Sequence, residues 1–215
     1  MGKFSKGIFG NFSGKIGQVV GSSWRGTDYL KSLPRINKNR QPSPAQLEQQ
    51  AKFAMVTAFL GPIREVLNIG FRNAPSAATT YNHALADNIK FAITGVFPSL
   101  ALDYSLLQLS RGVMPGGTNS TVTALPGGAL QFTWGDNTGK GKALATDLVV
   151  ALVYSPELND SEYSIGAATR ADQSLTFVLP ADFSGKVVET WILWAASNGK
   201  EVTATNYTGA VTVIS

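Results

Sequence analysis

Two periods of hydrophobic and polar positions follow one another along this chain. From about residue 43 to residue 94 apolar residues recur three and four positions apart, as on one face of an α-helix. Beyond residue 120 they fall in short β-prone runs that turn residues separate. Helices followed by a series of strands are typical of an α+β fold, which is the fold class that the sequence predicts.

The strongest helix signal begins at Ser43. Ser43 supplies a hydroxyl at the N-cap, Pro44 occupies the first helical position, and Gln46 stands three residues past the cap. Apolar residues cover much of the circumference of this helix, so it is predicted to be buried on more than one side. Gly61-Pro62 must break it, because proline removes a backbone donor.

The helical pattern resumes after this break. Residues 63–69 continue it, and a further helix is predicted over residues 79–94, ending at Gly95. Two helices joined by a short loop can pack as an antiparallel hairpin, which is the arrangement expected here.

Seven β-prone runs with turn signals between them predict an antiparallel β-sandwich in the C-terminal half. The predicted strands are residues 121–125, 129–134, 147–154, 162–170, 174–179, 186–197 and 210–214.

The N-terminal segment differs from both halves. Residues 2–21 hold a glycine every few positions, which permits bends and close approach of other chains and predicts an extended arm. Residues 18–33 contain two β-prone runs around a glycine-containing turn and predict a β-hairpin. Residues 34–44 are polar and bounded by prolines, as expected of a linker.

Charge is distributed unevenly. Residues 1–40 carry eight lysines and arginines against one aspartate, a net charge of +7, whereas residues 116–215 carry five basic and nine acidic residues, a net charge of −4. Together with the periodicity this predicts four parts: a basic glycine-rich arm and hairpin (1–42), a helical region (43–111), a linker (112–120) and a β-sandwich domain (121–215).

The sequence contains no set of residues whose spacing indicates a catalytic site. The chain has no cysteine and a single histidine, His83, which gives no basis for a zinc site or a Ser/His/Asp triad. Residues 10–15 are superficially like a phosphate loop but are one residue short, and Ile16 stands where a hydroxyl is required. Three acidic residues between 157 and 162 are typical of a solvated turn. The sequence therefore predicts no catalytic residue, no metal site and no cofactor, and hence no enzyme.

Several motifs resemble those of an uncharacterised Bacteroidota protein family of about this length. They are residues 14–17, 19–21, 24–26, 32–34, 46–53, 197–199 and 207–209. That family has no established activity, so the resemblance supplies no functional residues.

Residues 130–134 and 190–196 resemble the second and sixth strands of a fibronectin type III or immunoglobulin-like sandwich. Such domains occur as decoration and docking modules on bacterial surface proteins and phage virions, although a fold alone does not fix a function.

Two functions of different classes compete for the basic N-terminal segment. In the first, the chain is a non-enzymatic structural or assembly protein, such as a capsid- or tail-associated component of a phage virion, which docks on further copies or other particle subunits through this segment. In the alternative, cations and interleaved aromatic residues bind nucleic acid. The candidate contact residues are the same for both: Lys15, Trp24, Arg25, Tyr29, Lys31, Arg35, Lys38 and Arg40.

A weaker third hypothesis is carbohydrate binding by Trp134, Trp191 or Trp194.

The N-terminus lacks the apolar core of a signal peptide, and the longest apolar run, residues 148–154, has the length of a strand. No membrane span is expected, and a virion or the cytoplasm is the expected location.

Overall fold

The structure, a computed structural model, describes residues 3–4, 12–24, 27–33, 41–75 and 78–215, with the backbone alone at positions 3, 4 and 24. It contains two compact units. The first comprises Met1–Ser43 and the second Pro44–Ser215.

The described residues of the first unit form a four-stranded antiparallel sheet in the order β1-β2-β3-β4. Its strands are β1 (Lys3–Phe4), β2 (Phe12–Ile16), β3 (Val19–Trp24) and β4 (Thr27–Ser32). Strands β3 and β4 form the predicted hairpin. The described part of the predicted extended arm is also paired, because Gly17 has a φ of +58° and reverses the chain between β2 and β3.

The second unit begins with three helices: α1 (Pro44–Leu60), α2 (Arg64–Gly70) and α3 (Thr80–Phe91). The start at Pro44 and the break at Gly61-Pro62 are as predicted. Helix α3 is capped by the Thr79 side chain, which accepts a hydrogen bond from the Asn82 amide at 3.2 Å. It ends earlier than predicted because the next residues form a hairpin of strands β5 (Ile93–Val96) and β6 (Ser99–Leu102).

Helix α1 is buried on one side only, which corrects the prediction that it is covered on more than one. It packs against α3, β6 and the inner strands of the sandwich, and its buried residues, Val56, Phe59 and Leu60, cluster at its C-terminal end. Leu47 and Phe53 remain 41% and 52% exposed. Periodicity showed an apolar circumference, but the fold supplies partners for only one face of this helix.

The seven predicted strands form two antiparallel sheets, which confirms the predicted fold class. One sheet has the order β10-β9-β12-β13 and the other the order β11-β8-β7. The strands are β7 (Thr118–Leu125), β8 (Ala129–Gly135), β9 (Leu148–Ser155), β10 (Asp160–Thr169), β11 (Ser174–Val178), β12 (Val187–Ala195) and β13 (Asn206–Thr212).

The four-stranded sheet is buried on both faces. Residues of β9 and β12 alternate between two cores, so that Leu152 and Trp191 pack with the helices whereas Val153 and Ile192 pack with the three-stranded sheet. The second unit therefore has three layers, with the helices on the outer face of the sandwich. This arrangement explains why β9 is a nearly continuous apolar run rather than an alternating one.

An aromatic cluster joins the helical layer to the sandwich. Phe59 of α1 contacts Tyr154 of β9 and Trp191 of β12, with ring centroids 4.9 and 5.8 Å away. The Tyr154 hydroxyl donates a hydrogen bond to Asn159 at 2.9 Å. Burial, and to a smaller extent the neighbouring Tyr104, raises the pKa of Tyr154 to about 12, so this phenol stays neutral at physiological pH.

A fully buried ion pair lies in the sandwich. Both side chains of the pair Arg170–Asp147 are fully buried, and Arg170 Nε donates to Asp147 Oδ2 at 3.0 Å. The remaining guanidinium nitrogens donate to Asn137 Oδ1 at 2.5 Å and to the Pro115 carbonyl at 2.9 Å. The guanidinium also lies 5.4 Å from the centroid of the Trp194 ring. Arg170 thus connects three segments that are distant in sequence.

Residues 112–117, which the sequence assigned to a linker, pack against the sandwich. Met114 forms a parallel bridge with Thr203. Gly112 approaches the Val202 backbone so closely that a Cβ at this position would lie 1.7 Å from the Val202 carbonyl oxygen. A Cβ at Gly116 would make only ordinary contact, 3.5 Å from Trp194. The contacts show no break in packing between the helices and the strands.

Replacing Gly112 by alanine is expected to lower the free energy of unfolding by about 1–3 kcal/mol, because the Val202 backbone must move to admit the methyl group. Urea denaturation followed by circular dichroism measures the change. Gly116→Ala, four residues away, is the matched control and is expected to stay within about 0.5 kcal/mol of the unsubstituted chain. Equal effects of both substitutions would contradict the close approach at Gly112.

Candidate assembly interface on the N-terminal sheet

The strand register of the N-terminal sheet separates its side chains into two faces. Lys15 of β2 pairs with Val20 of β3, which in turn pairs with Lys31 of β4. Residues that are directly opposite in antiparallel strands lie on the same face, and alternate residues along a strand lie on opposite faces. Lys15, Lys31 and Tyr29 therefore share one face, here called the basic face.

The basic face combines cations with an aromatic ring. The Lys31 ammonium lies 5.8 Å from the centroid of the Tyr29 ring, within the range of a cation–π contact. Both residues are exposed, as is Lys15. Three of the predicted contact residues are thus brought together on one surface, although they are up to 16 positions apart in sequence.

The opposite face of the sheet carries Ile16, Val19 and Leu30 and is here called the apolar face. Its side chains are 47%, 42% and 66% exposed, respectively. Gly21 lies between them in the register, opposite Leu30, and a Cβ at Gly21 would lie 2.1 Å from the Phe12 carbonyl oxygen. The glycine thereby allows Phe12 of β2 to pack closely against β3. Large apolar side chains in such a group are typical of an interaction surface.

Among the described residues of the first unit, Gly21 alone is buried. Both hydrophobic cores of the described chain consist of residues of the second unit. A small sheet needs a covered apolar face for independent stability. The described part of the first unit therefore has strands and turns but lacks a core that would stabilise it alone.

The structure describes the other predicted contact residues only in part. Trp24 ends β3 and pairs in register with Thr27, and its backbone alone is described. The remaining four fall outside the described residues: Arg25, Arg35, Lys38 and Arg40. Their participation stays a prediction.

Sequence reasoning missed the two-faced character of this sheet. The signal was present in the period-two alternation of Tyr29, Leu30 and Lys31. It could not be extended to Lys15 and Ile16, because their faces depend on the register across the β2–β3 turn.

Groups that could support catalysis have ordinary surroundings in the described chain. A ring nitrogen of His83, Nε2, lies 2.9 Å from the Pro75 carbonyl oxygen. In the acidic loop, Glu157 pairs with Lys186, and Asp160 accepts a hydrogen bond from the Ser161 amide at 2.8 Å. The described residues contain no group of three or more histidine or acidic side chains that could hold a metal ion.

The carbohydrate-binding hypothesis is wrong for the tryptophans on which it was based. Trp134, Trp191 and Trp194 are 4%, 0% and 0% exposed. Their rings pack in the two cores, so they cannot stack on a sugar.

Comparison with protein families gives one match over most of the chain. Residues 11–209 match the model of a family of unknown function, DUF6266. The chain belongs to this family. The resemblance to an uncharacterised family is confirmed to that extent, and no curated protein matches the chain.

No helix in the described ranges is long and apolar enough to cross a membrane.

Solved structures similar to this chain include fibronectin type III domains. The chicken CNTN1 FN1-FN3 domains match with 8% identity and a TM-score of 0.37, over 49% of this chain and 34% of that one. The fn3 domain of the human collagen alpha-1(XX) chain matches with 19% identity and a TM-score of 0.33, over 49% and 85%. A redesigned β-sandwich protein matches with 16% identity and a TM-score of 0.34, over 48% and 93%. This chain thus spans about a third of the CNTN1 chain.

Proposed function

We propose that this chain is a non-enzymatic structural protein that assembles with further copies of itself through its N-terminal unit. The observation that carries the proposal is the open apolar face of Ile16, Val19 and Leu30 on a sheet whose described residues form no core. Covering that face would remove apolar surface from water, which favours association.

Charge supports another copy as the partner. The first 40 residues carry a net charge of +7, and residues 116–215 carry −4. Opposite charges on two parts of the same chain favour contact between copies and speed their encounter. In a more specific form of this proposal, the assembly is a phage virion. The resemblance also implies a Bacteroidota origin, which is likewise a proposal. The identity of the neighbouring genes would test both.

Removing the first unit is expected to abolish self-association. The second unit contains both described cores, so residues 44–215 are expected to fold alone. Light scattering coupled to size-exclusion chromatography is expected to give at least twice the monomer mass of 22.8 kDa for the full chain. Residues 44–215 are expected to give the mass of a monomer. Circular dichroism of the shortened chain is the control for folding. A full-length chain that is strictly monomeric at about 100 μM would contradict the proposal.

The basic face supports nucleic acid as a second candidate partner. Lys15 and Lys31 lie in one row across the sheet, and Tyr29 beside them offers an aromatic ring for stacking. Single-stranded DNA would be the probe, because its unpaired bases can stack on the Tyr29 ring without sequence recognition.

Fluorescence anisotropy at two salt concentrations separates the candidates. If the basic face binds DNA, the double substitution Lys15→Glu and Lys31→Glu should weaken binding by at least about tenfold at low salt, since two phosphate contacts become repulsive. Leu30→Ser on the apolar face is the matched control and should leave DNA binding unchanged. Absence of binding at low salt would dispose of this candidate.

A further inference from the structure

Among the described strands of the N-terminal sheet, β4 lies at one end and forms an outer edge. The sheet order places β4 at the end of the sheet, and each of its six residues is exposed. An exposed strand edge presents unpaired amides and carbonyls to solvent and is a template for another strand. Natural edges are often protected by proline, by a bulge or by charged side chains. Strand β4 contains no proline and pairs with β3 without a register shift, and its charged residues are Asp28 and Lys31.

The hydrogen bonds of the hairpin show which β4 residues direct their backbone groups outward. The Leu33 amide donates to the Gln18 carbonyl at 3.0 Å, and these residues are opposite each other in the register. Hydrogen-bonded and non-hydrogen-bonded pairs alternate in an antiparallel ladder. Residues 29 and 31 therefore bond to β3, whereas Asp28, Leu30 and Ser32 direct their amides and carbonyls to the free edge.

We infer that the free edge of β4 pairs antiparallel with the same edge of a second copy, with the two-fold axis at Leu30. This inference rests on the proposed function, because it requires that the first unit mediates self-association. It joins two segments that each carry a net charge of +7, so the attraction between the basic and acidic parts of the chain does not contribute to this contact. The two four-stranded sheets then form one continuous sheet, joined by about six backbone hydrogen bonds.

The axis at Leu30 follows from symmetry and from side-chain chemistry. In an isologous strand pair a residue can only oppose a residue on its own face, so the axis must pass through a residue rather than between two. At Leu30, the two leucines meet on the apolar face, Asp28 meets Ser32 of the second copy, and Tyr29 meets Lys31 of the second copy.

The neighbouring registers are less favourable. An axis at Lys31 would place the two Lys31 ammonium groups directly opposite each other, which is destabilising. An axis at Tyr29 would place each Asp28 carboxylate opposite Leu30 of the second copy and would bring no leucines together. The Leu30 register also joins the apolar faces of the two copies into one larger apolar surface.

Single cysteines test this register directly, because the chain has no cysteine of its own. Paired Cα atoms in a hydrogen-bonded pair are about 5.5 Å apart, within the range that a disulfide spans. Full-length Leu30→Cys should therefore form disulfide-linked dimers in mild oxidant roughly a hundredfold faster than a cysteine on a surface that does not pair. Val178→Cys is the matched control, since Val178 and Leu30 are 65% and 66% exposed, and both lie on edge strands.

A mixture of two variants tests the register independently of Leu30. Asp28→Cys alone and Ser32→Cys alone should cross-link slowly, because each would lie about 15 Å from its own counterpart across the axis. A mixture of the two should cross-link rapidly into a heterodimer, since these positions oppose each other. Non-reducing gel electrophoresis with mass spectrometry of the linked peptides measures both results.

The outcomes separate this inference from the proposed function. If the full chain assembles, residues 44–215 do not, and Leu30→Cys cross-links no faster than Val178→Cys, edge pairing is overturned and the proposed function stands. Rapid self-linking of Tyr29→Cys with slow linking of Leu30→Cys would overturn the register. A monomeric full-length chain would overturn both.

Leu30→Pro gives a second measurement that needs no cross-link. Proline at this position removes an amide that faces outward, so the bonds to β3 are retained, and an edge strand tolerates it. The expected result is loss of the dimer in light scattering, whereas Leu30→Thr, which retains the amide and a strand-forming side chain, should keep most of it. Dimers that persist in the proline variant would contradict edge pairing.

Discussion

Replacing Arg170 by methionine is expected to destabilise the second unit by about 3–5 kcal/mol, because the substitution leaves the fully buried Asp147 carboxylate without its cation. Three hydrogen bonds from the guanidinium, to Asp147, Asn137 and the Pro115 carbonyl, are lost with it. Methionine retains much of the packing against Trp194, so the loss reports mainly on charge and hydrogen bonding. Urea denaturation of residues 44–215 measures the change in the free energy of unfolding.

A double substitution shows whether the pair acts as a unit. Arg170→Met with Asp147→Leu removes both charges and is expected to be less destabilised than Arg170→Met alone, since no unpaired ion remains. Lys142→Met is the control, because Lys142 pairs with Glu201 on the surface and its side chain is 61% exposed. Its effect is expected to be about 0–1 kcal/mol. Strictly additive effects at 147 and 170 would contradict the proposed coupling.

Replacing Phe59 by alanine is expected to cost about 3–5 kcal/mol, because a fully buried ring between the helices and the sandwich is removed. Phe53→Ala is the matched control on the same helix. Phe53 is 52% exposed, so its loss should change stability by less than about 1 kcal/mol.

Urea denaturation of residues 44–215 measures the effects of Phe59→Ala and Phe53→Ala, and it also tests whether the helices and the sandwich unfold together. Residues 44–215 contain the helices and three tryptophans, Trp134, Trp191 and Trp194, all in the sandwich. Circular dichroism at a helical wavelength and tryptophan fluorescence should therefore give coincident transitions, both shifted by Phe59→Ala. Separate transitions would mean that the shared core does not couple the two layers.

The elements of this chain could be predicted well from local signals. The start of α1 at Pro44 follows from a hydroxyl, a proline and a glutamine at fixed spacing, and the break after Leu60 follows from Gly61-Pro62. The sandwich strands begin and end near the predicted positions, because turn residues separate β-prone runs. The end of α3 was placed too late, since Ile93 and Thr94 continue the apolar pattern but pair with β6.

The packing between elements could not be predicted in the same way. Arginine is rarely fully buried, and nothing near Arg170 in the sequence indicates that Asp147, Asn137 and the Pro115 carbonyl surround it. The three-layer arrangement was also missed, because periodicity shows that β9 and α1 are apolar but not which faces meet.

For the candidate interface, the sequence by itself determined a basic, glycine-rich N-terminal segment with a β-hairpin, since charge and turn residues are local properties. Only the tertiary structure decided which residues share a face. A strand register assigns Lys15 and Lys31 to one side and Ile16, Val19 and Leu30 to the other, and a shift of one residue would exchange those sides. Register is set by contacts between strands, and these contacts exist only once the chain has folded.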